Sequence, residues 1–473
     1  MNKYFSSSDE VFEWLSNFIN LERGQKPKSF LLERMETLLE YAGRPDKCAP
    51  SIHIAGSKGK GSVTSMLSAM LSAAGFTTAR YMSPHVINIR ERICLGNSEH
   101  QNAEYFDEEI YRCAGDELRH VVDLLLPSAA NPLFDTENGG CEPTFWELIT
   151  MLFFLCARKA KCDVMVVETG MGGRLDSTNV LDPLVSVITL IELEHTSILG
   201  NTITAIAGEK AGIIKKGKPL ILARQNDEAL KVFKQISEEK NSTLFYLPEI
   251  ADLSNIKISD QGTEFFLSIN NPSFNIENLS FSLPIPGKVQ AENAALALAA
   301  VKTAFPQIDN FALKKGLANL KIPGRFEKIA PLALAEHAAL VTQPPFIIDG
   351  AHTPESLSFC IETFCSIYGE GGVLIFGCAA DKDAEAMAKI AQHHFAKIII
   401  TTPGVFKISD PVKVYETFVK ITGQEKTELI KDTKAAVKKA QQEAQKQKGR
   451  LLPILGTGSF YLVSEIRKFV IKE

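Results

Sequence analysis

The sequence predicts an α/β protein in two unequal parts, a larger one over residues 1–322 and a smaller one over residues 323–473. Three observations predict it. At 473 residues the chain is too long for one ordinary core, so two or three domains are expected. Over the first three hundred or so residues, strand-like runs alternate with helix-like ones, the pattern of a parallel sheet flanked by helices. That alternation lapses and then restarts after Lys321-Ile322-Pro323-Gly324-Arg325, whose proline and glycine mark the boundary.

Taken in order, Ser51–Ala55, Val164–Glu168, Val185–Ile191 and Pro219–Leu222 read as strands, each a short apolar run closed by polar or glycine-rich residues. Val63–Ala74, Phe145–Lys159 and Ile203–Ala211 are long enough, and lack internal proline, to read as helices. Asp123–Cys141, with proline, asparagine and glycine, reads as a long surface loop. Between Leu244 and Leu283 the texture changes to short alternating runs such as Thr263-Glu264-Phe265-Phe266-Leu267, separated by Asp260-Gln261-Gly262 and Asn270-Asn271-Pro272. That pattern predicts a small antiparallel subsheet. Gln290–Phe305 follows as an alanine-rich helix. In the second part Phe346–Asp349, Val373–Phe376, Lys397–Thr401 and Leu452–Leu455 read as strands, and Ala435–Lys448 as a charged, solvated helix. No repeat of 20–50 residues is visible.

Composition narrows the function classes. Hydrophobic residues make up 45% and charged residues 23%, the profile of a soluble globular protein. A net charge of −5 argues against nucleic acid as a partner. Nine cysteines without a CxxC pair read as reduced thiols. Met1 to Glu22 carries charges and no apolar signal segment, and no stretch approaches the ~20 apolar residues of a membrane helix. The expectation is a cytoplasmic protein without a membrane partner.

Residues 51–62, Ser-Ile-His-Ile-Ala-Gly-Ser-Lys-Gly-Lys-Gly-Ser, carry the strongest chemical signal. A strand runs into a glycine-rich loop centred on Lys60 and then into a helix. Gly56, Gly59 and Gly61 let backbone N–H groups approach an anion, the helix start adds its positive end, and Lys60 adds a full charge. The loop departs from G-x-x-x-x-G-K-[ST]: two residues separate Gly56 from Gly59, and Gly61 stands where a hydroxyl usually holds magnesium. A nucleotide triphosphate is expected there, with metal ligands drawn from elsewhere. In α/β sheets such ligands sit beyond the carboxyl ends of strands. Glu168 closes one strand and precedes Gly170-Met171-Gly172-Gly173, a hard oxygen ligand beside close-approach glycines. His195 follows Val185–Leu193 in the same way, with Glu194 beside it, and Ser83 in Tyr81-Met82-Ser83-Pro84-His85 offers a hydroxyl. A strand-end acid satisfied by its own loop and a structural histidine are the alternatives. Lys210 lies on a small-residue helix and is either exposed or buried with a lowered pKa.

These motifs coincide in one family. The chain resembles folylpolyglutamate synthases and the bifunctional dihydrofolate synthase/folylpolyglutamate synthases of the Mur-ligase superfamily. The carriers are Gly56 to Ser62, Ser83-Pro84-His85, Thr144-Phe145-Trp146-Glu147, Glu168 to Asp176, His195 with Glu209-Lys210-Ala211-Gly212, Asn293-Ala294-Ala295, Gly324-Arg325-Phe326-Glu327, Asp349-Gly350-Ala351-His352 and Asp381-Lys382-Asp383. The resemblance implies a Mur-ligase-like fold: a P-loop ATP-binding domain over residues 1–322 and a Rossmann-like glutamate-ligase domain over residues 323–473. It implies that Gly56, Ser57, Lys58, Gly59, Lys60, Gly61 and Ser62 hold the ATP phosphates, with Asn293 on the adenine and Arg325 on the phosphates. It places Asp349 and His352 toward the nucleotide from the smaller domain. It assigns Ser83 and Glu168 to one magnesium, and His195 with a carbamylated Lys210 to a second. Lys60, Lys210 and His195 are then the catalytic residues.

The implied reaction is ATP-dependent addition of L-glutamate to a dihydropteroate or reduced-folate carboxylate through an acyl phosphate, by a monomer. Glu194 stands for the family's usual aspartate, Thr353 for an asparagine, Trp146 for a phenylalanine, and Ser57-Lys58 for Thr-Asn. None of these removes a metal ligand. Two rivals stay open, a Mur-type ligase for another acid and a P-loop NTPase without ligase activity. Both more usually carry a hydroxyl directly after the loop lysine, where this chain has Gly61.

Overall fold

The structure, a computed structural model, describes residues 4–20, 22, 25, 30–126, 133–134, 141–329, 344–404, 408–446 and 451–470. Strands β1 (Ser51–Ala55), β2 (Thr78–Tyr81), β3 (Ile93–Gly96), β4 (Glu104–Tyr105), β5 (Val164–Glu168), β6 (Val185–Ile188), β7 (Leu220–Leu222) and β8 (Leu244–Tyr246) form one sheet. Its order is β4-β3-β2-β5-β1-β6-β7-β8. The six strands from β2 to β8 in that order are parallel, and β3 and β4 extend the edge antiparallel. β1, β5 and β6 are buried at every position; β5 is accordingly an unbroken apolar run up to Glu168, while Ser51 and His53 in β1 and Ser186 in β6 are polar residues buried within their strands.

Strands β9 (Ala251–Ser259), β10 (Gly262–Ile269) and β11 (Leu279–Leu283) make the antiparallel subsheet. The second α/β layer contains β12 (Glu327–Ile329), β13 (Phe346–Ile348), β14 (Gly372–Phe376), β15 (Phe395–Ile400), β16 (Thr427–Leu429) and β17 (Ile454–Thr457). Its order is β12-β13-β17-β14-β15-β16, parallel except for the edge strand β12. The Lys60–Ala73 helix covers one face of the large sheet and packs on the Lys288–Ala304 and Asn310–Ala318 helices. Small side chains at Ala291, Ala294, Ala295, Ala297 and Ala299 allow that packing to be close. The Phe145–Lys159 helix covers the other face with Leu148, Leu152 and Leu155.

Ser51–Ala55, Val164–Glu168, Phe145–Lys159 and Ile203–Ala211 have the predicted bounds. Elsewhere tertiary contacts overrode local pattern. The predicted Val185–Ile191 strand stops at Ile188, because the carbonyl of Leu190 turns to accept the N–H groups of Ser57 and Lys58 at 2.9 and 3.2 Å. Leu244–Tyr246 pairs with the large sheet and not with the subsheet. The helix predicted over Ala435–Lys448 runs Thr433–Gln445 and is amphipathic, with Ala436, Ala440 and Ala444 fully buried at four-residue spacing. Of the loop predicted over Asp123–Cys141, Asp123 to Leu125 end the Glu108–Leu125 helix and Phe134 is buried. Residues 127–132 and 135–140 of that loop lie outside the described residues. Among the described residues no helix is long and apolar enough to cross a membrane.

Candidate active site

The site forms where β1, β5 and β6 end. The Lys60–Ala73 helix begins three residues earlier than sequence pattern predicts, with Gly59 as its N-cap in the left-handed region at φ 88°. Lys60, Gly61 and Ser62 therefore occupy the first turn, whose N–H groups have no intrahelical acceptor and point at the mouth. Ser57 and Lys58 do not join them, since their N–H groups are taken by Leu190. The cradle is thus narrower than the run of glycines suggests. Gly56 is required by space: a Cβ there would fall 1.8 Å from Thr189 Oγ1. Asn293 lies against the loop, its Oδ1 2.7 Å from where a Gly59 Cβ would stand. The Lys60 ammonium folds back to donate to the Gly56 carbonyl at 2.8 Å.

Below this turn lies Glu168, 3% exposed. Its Oε2 accepts the Ser83 N–H at 3.3 Å and is 3.6 Å from a Cβ built on Gly61. Burial pushes its carboxyl up to about 7, against the pull of Lys60, Arg325 and Arg80. Ser83, Glu168 and Gly61 are therefore neighbours, and the loop's missing hydroxyl has a carboxylate and a serine beside it.

The second group joins Glu194 and His195, in the segment after β6, to Lys210 on the Ile203–Ala211 helix. Lys210 is 1% exposed, and its ammonium donates to the Gly56 carbonyl at 2.7 Å and to Glu194 at 2.8 Å. Burial draws Lys210 down to about 8, while Glu194, despite burial, is held at about 2 by Lys60 and Lys210. His195 caps the Thr196–Leu199 turn in the left-handed region at φ 48°. Its ring reaches solvent at the mouth yet is crowded by protein, which keeps it neutral, with a pKa near 4, although Glu194 opposes.

The smaller layer supplies the far wall. His352 Nδ1 lies 2.8 Å from the Gly350 carbonyl, so that nitrogen carries the proton and Nε2 accepts from the Lys58 ammonium at 3.2 Å. Thr353 Oγ1 donates to Glu192 across the same seam at 3.4 Å. Arg325 lies 4.4 Å from the centre of the Phe460 ring, and its charge acts on Glu168 and Asp349. Asp349 is turned to the backbone: its two oxygens accept the N–H groups of Phe326 and Ala351, both at 2.8 Å.

A cavity of about 160 Å³, reached by the loop that follows β5, is lined by Leu31, Met35, Trp146, Met171, Leu175 and Ile198. Its polar lining carries the buried Arg34–Glu147 ion pair and, at the rim, the exposed Arg174–Glu209 pair. Trp146 packs against Gly170, where a Cβ would come within 3.2 Å of the indole, and Arg92 lies 5.1 Å from its ring centre.

Sequence reasoning passed over two residues of the site. Glu192, pushed up to about 7 by burial, faces Lys58, and Phe460 carries Arg325. Glu192 had a signal: it alternates with Glu194 around Leu193, which is 54% exposed, so both acids share a side. Phe460 had none.

Two family models match the chain, the Mur ligase middle domain over residues 137–301 and the Mur ligase, glutamate ligase domain over residues 335–458. A dihydrofolate synthase/folylpolyglutamate synthase of Bacillus subtilis is 32% identical, over 98% of this chain and 99% of its own. A dihydrofolate synthase/folylpolyglutamate synthase of Mycobacterium tuberculosis is 30% identical over 79% of this chain and 74% of its own. Among solved structures, a folylpolyglutamate synthase of Mycobacterium tuberculosis complexed with ADP and AMPPCP superposes with a TM-score of 0.84 at 26% identity, over 98% of each chain. A folylpolyglutamate synthase complex with AMPPCP and folate gives 0.79 at 26% identity, over 98% of this chain and 100% of that one.

Proposed function

Because the chain belongs to the dihydrofolate synthase/folylpolyglutamate synthase family of ATP-dependent ligases, we propose that it joins L-glutamate to the carboxylate of a pteroate or folate acceptor in the cleft around Lys60. One observation carries this reading. Glu168, a buried carboxyl, accepts the Ser83 N–H beside Gly61 of the phosphate loop, whose own metal-binding hydroxyl is missing.

The residues present fit a divalent ion at that point. A buried carboxyl with its charge disfavoured, next to Ser83 and to a loop that lacks its own hydroxyl, is a hard oxygen donor set suited to a cation. Ser83 and Glu168 would hold one magnesium. His195, neutral and therefore able to ligate, and a carbamate on Lys210 would hold a second. Bound magnesium supplies positive charge that neutralises the triphosphate as its γ phosphoryl group is transferred. Lys210 suits carbamylation because burial leaves a usable fraction of neutral amine near neutral pH. Its nitrogen bonds to the carbon of carbon dioxide and one proton is released.

The chain's own groups do the rest. Lys60 swings from Gly56 to the phosphates, and Arg325 adds a second positive charge from the smaller domain. An oxygen of the acceptor carboxylate bonds to the γ phosphorus, the bond to the bridging oxygen breaks, and ADP leaves. The amine of L-glutamate then attacks the acyl carbon, loses a proton, and phosphate departs. Residues 323–473 close over residues 1–322 through Lys58–His352 and Thr353–Glu192, excluding the water that would hydrolyse the acyl phosphate. The cavity under Trp146, apolar with charged rims, suits a flat pterin ring bearing an anionic tail. The Bacillus subtilis relative carries both synthase activities in its name, so both acceptors are proposed here.

The protein works as a monomer in a reducing cytoplasm, one chain furnishing every residue named. Purified protein with magnesium and ATP should release ADP only when glutamate and an acceptor are both present. Dihydropteroate and tetrahydrofolate, offered separately, should each gain the mass of one glutamyl unit. ADP release indifferent to glutamate would instead mark a P-loop NTPase.

A further inference from the structure

We propose that Cys365, Glu370 and His394 form a binding site for one zinc-class divalent ion on the smaller α/β layer, outside the ligase cleft. Cys365 lies twelve residues along the Pro354–Tyr368 helix from Thr353, which faces the cleft, a separation of roughly 18 Å along the axis. None of the three residues enters the ligase reaction.

The geometry is that of three corners of a tetrahedron. Cys365 Sγ is 3.5 Å from Glu370 Oε2 and 3.8 Å from His394 Nδ1, and His394 Nδ1 is 3.0 and 3.1 Å from the Glu370 oxygens. A four-coordinate zinc with bonds of about 2.3 Å to sulfur and about 2.0–2.1 Å to nitrogen and oxygen sets edges of about 3.5 Å to sulfur and about 3.3 Å between nitrogen and oxygen. One ion fits with shifts of a few tenths of an ångström, and solvent supplies the fourth ligand.

The scaffold is rigid. Phe364 and Phe395, chain neighbours of Cys365 and His394, are buried with ring centres 5.9 Å apart. Gly369 and Gly371 take φ 82° and 86°, a turn that brings Glu370 over the helix end, and the Gly371 N–H donates to the His394 carbonyl at 2.9 Å. The carboxyl end of the Pro354–Tyr368 helix, with its partial negative charge, adds a preference for a cation.

Ligand chemistry sets the class of ion. Thiolate and imidazole suit zinc and its transition-metal neighbours and are poor ligands for magnesium, so the metal of the ATP does not compete. Binding replaces the thiol proton: Cys365–SH gives a metal-bound thiolate and one proton leaves to solvent.

Cobalt(II) titration of the full-length protein tests the site. The wild type should take up one equivalent with a thiolate-to-cobalt charge-transfer band that zinc displaces. Cys365→Ser should abolish the band, and His394→Ala should weaken affinity by about tenfold or more. Both variants should keep wild-type glutamate-dependent ADP release with magnesium. If Cys365→Ser does not fold, Glu370→Gln supplies the same comparison as His394→Ala. No thiolate band in the wild type, or an unchanged band in Cys365→Ser, overturns the proposal.

Discussion

Lys60 and Lys210 donate to one acceptor: both ammonium groups hydrogen-bond the Gly56 carbonyl oxygen, at 2.8 and 2.7 Å. Two like charges converge there and repel, and at Lys210 the attraction of Glu194, 2.8 Å away, outweighs the repulsion from Lys60. Turning Lys210 into an anionic carbamate would remove that repulsion and leave Lys60 as the cation facing the phosphates. Wild-type turnover should therefore fall when bicarbonate and carbon dioxide are stripped from the assay, and recover when they are returned. Lys210→Met should lose on the order of 10²–10³ in rate and ignore bicarbonate. A full rate in Lys210→Met would remove the lysine from the chemistry.

Lys60→Ala and Glu168→Ala should each lower glutamate-dependent ADP release by on the order of 10²–10³, the usual loss when one group facing developing charge is removed. A melting curve separates chemistry from folding. Glu168 is buried with its ionised form disfavoured, so Glu168→Gln should melt no lower than wild type in the absence of metal at neutral pH while remaining inactive. Activity in Glu168→Gln would contradict its role as a metal ligand.

The site was legible where one local run carried both backbone and charge. Ser51 to Ser62 encodes strand, loop and lysine together, and Val164 to Gly173 does the same for Glu168. What could not be read was set by distant partners. The bonds from Ser57 and Lys58 to Leu190 shorten β6 and withdraw two donors from the cradle, and they join positions more than 130 residues apart. Strands β3 and β4 are short antiparallel extensions whose pairing depends on β2 and not on any pattern of their own. The burial of Ala436, Ala440 and Ala444 was hidden because alanine is a weak apolar signal among so many lysines and glutamines.

His53 offers a test of the fold by pH. It sits fully buried in β1, its Nε2 2.8 Å from Thr178 Oγ1, and burial, aided by the Lys215 charge, lowers its pKa to about 3. The unfolded chain takes up this proton near the ordinary value of about 6.5. Between those values the unfolded state binds more protons, so stability present at neutral pH is lost as pH falls below about 6.5. At pH 5 the loss from this one group is about 2 kcal/mol. Urea melts at neutral pH and at pH 5 should show His53→Gln losing less stability than wild type by that amount. Parallel losses would mean that the buried imidazole is not what is titrating.

Asp349 separates a positioning role from a direct one. Both carboxylate oxygens are engaged by the Phe326 and Ala351 N–H groups at 2.8 Å, which ties the Arg325 turn to the loop bearing His352. Asn at this position keeps one acceptor and sets an amide donor against a backbone donor. It should cost about 1–3 kcal/mol, the penalty of an unsatisfied buried polar group. Arg325 would lose the negative charge beside it and its fixed seat over Phe460, so KM for ATP should rise along with the fall in stability. Thermal melting and ADP-release kinetics on Asp349→Asn measure the two effects together. Wild-type stability with abolished turnover would mean that the carboxylate reaches the nucleotide itself, and that the backbone bonds are incidental.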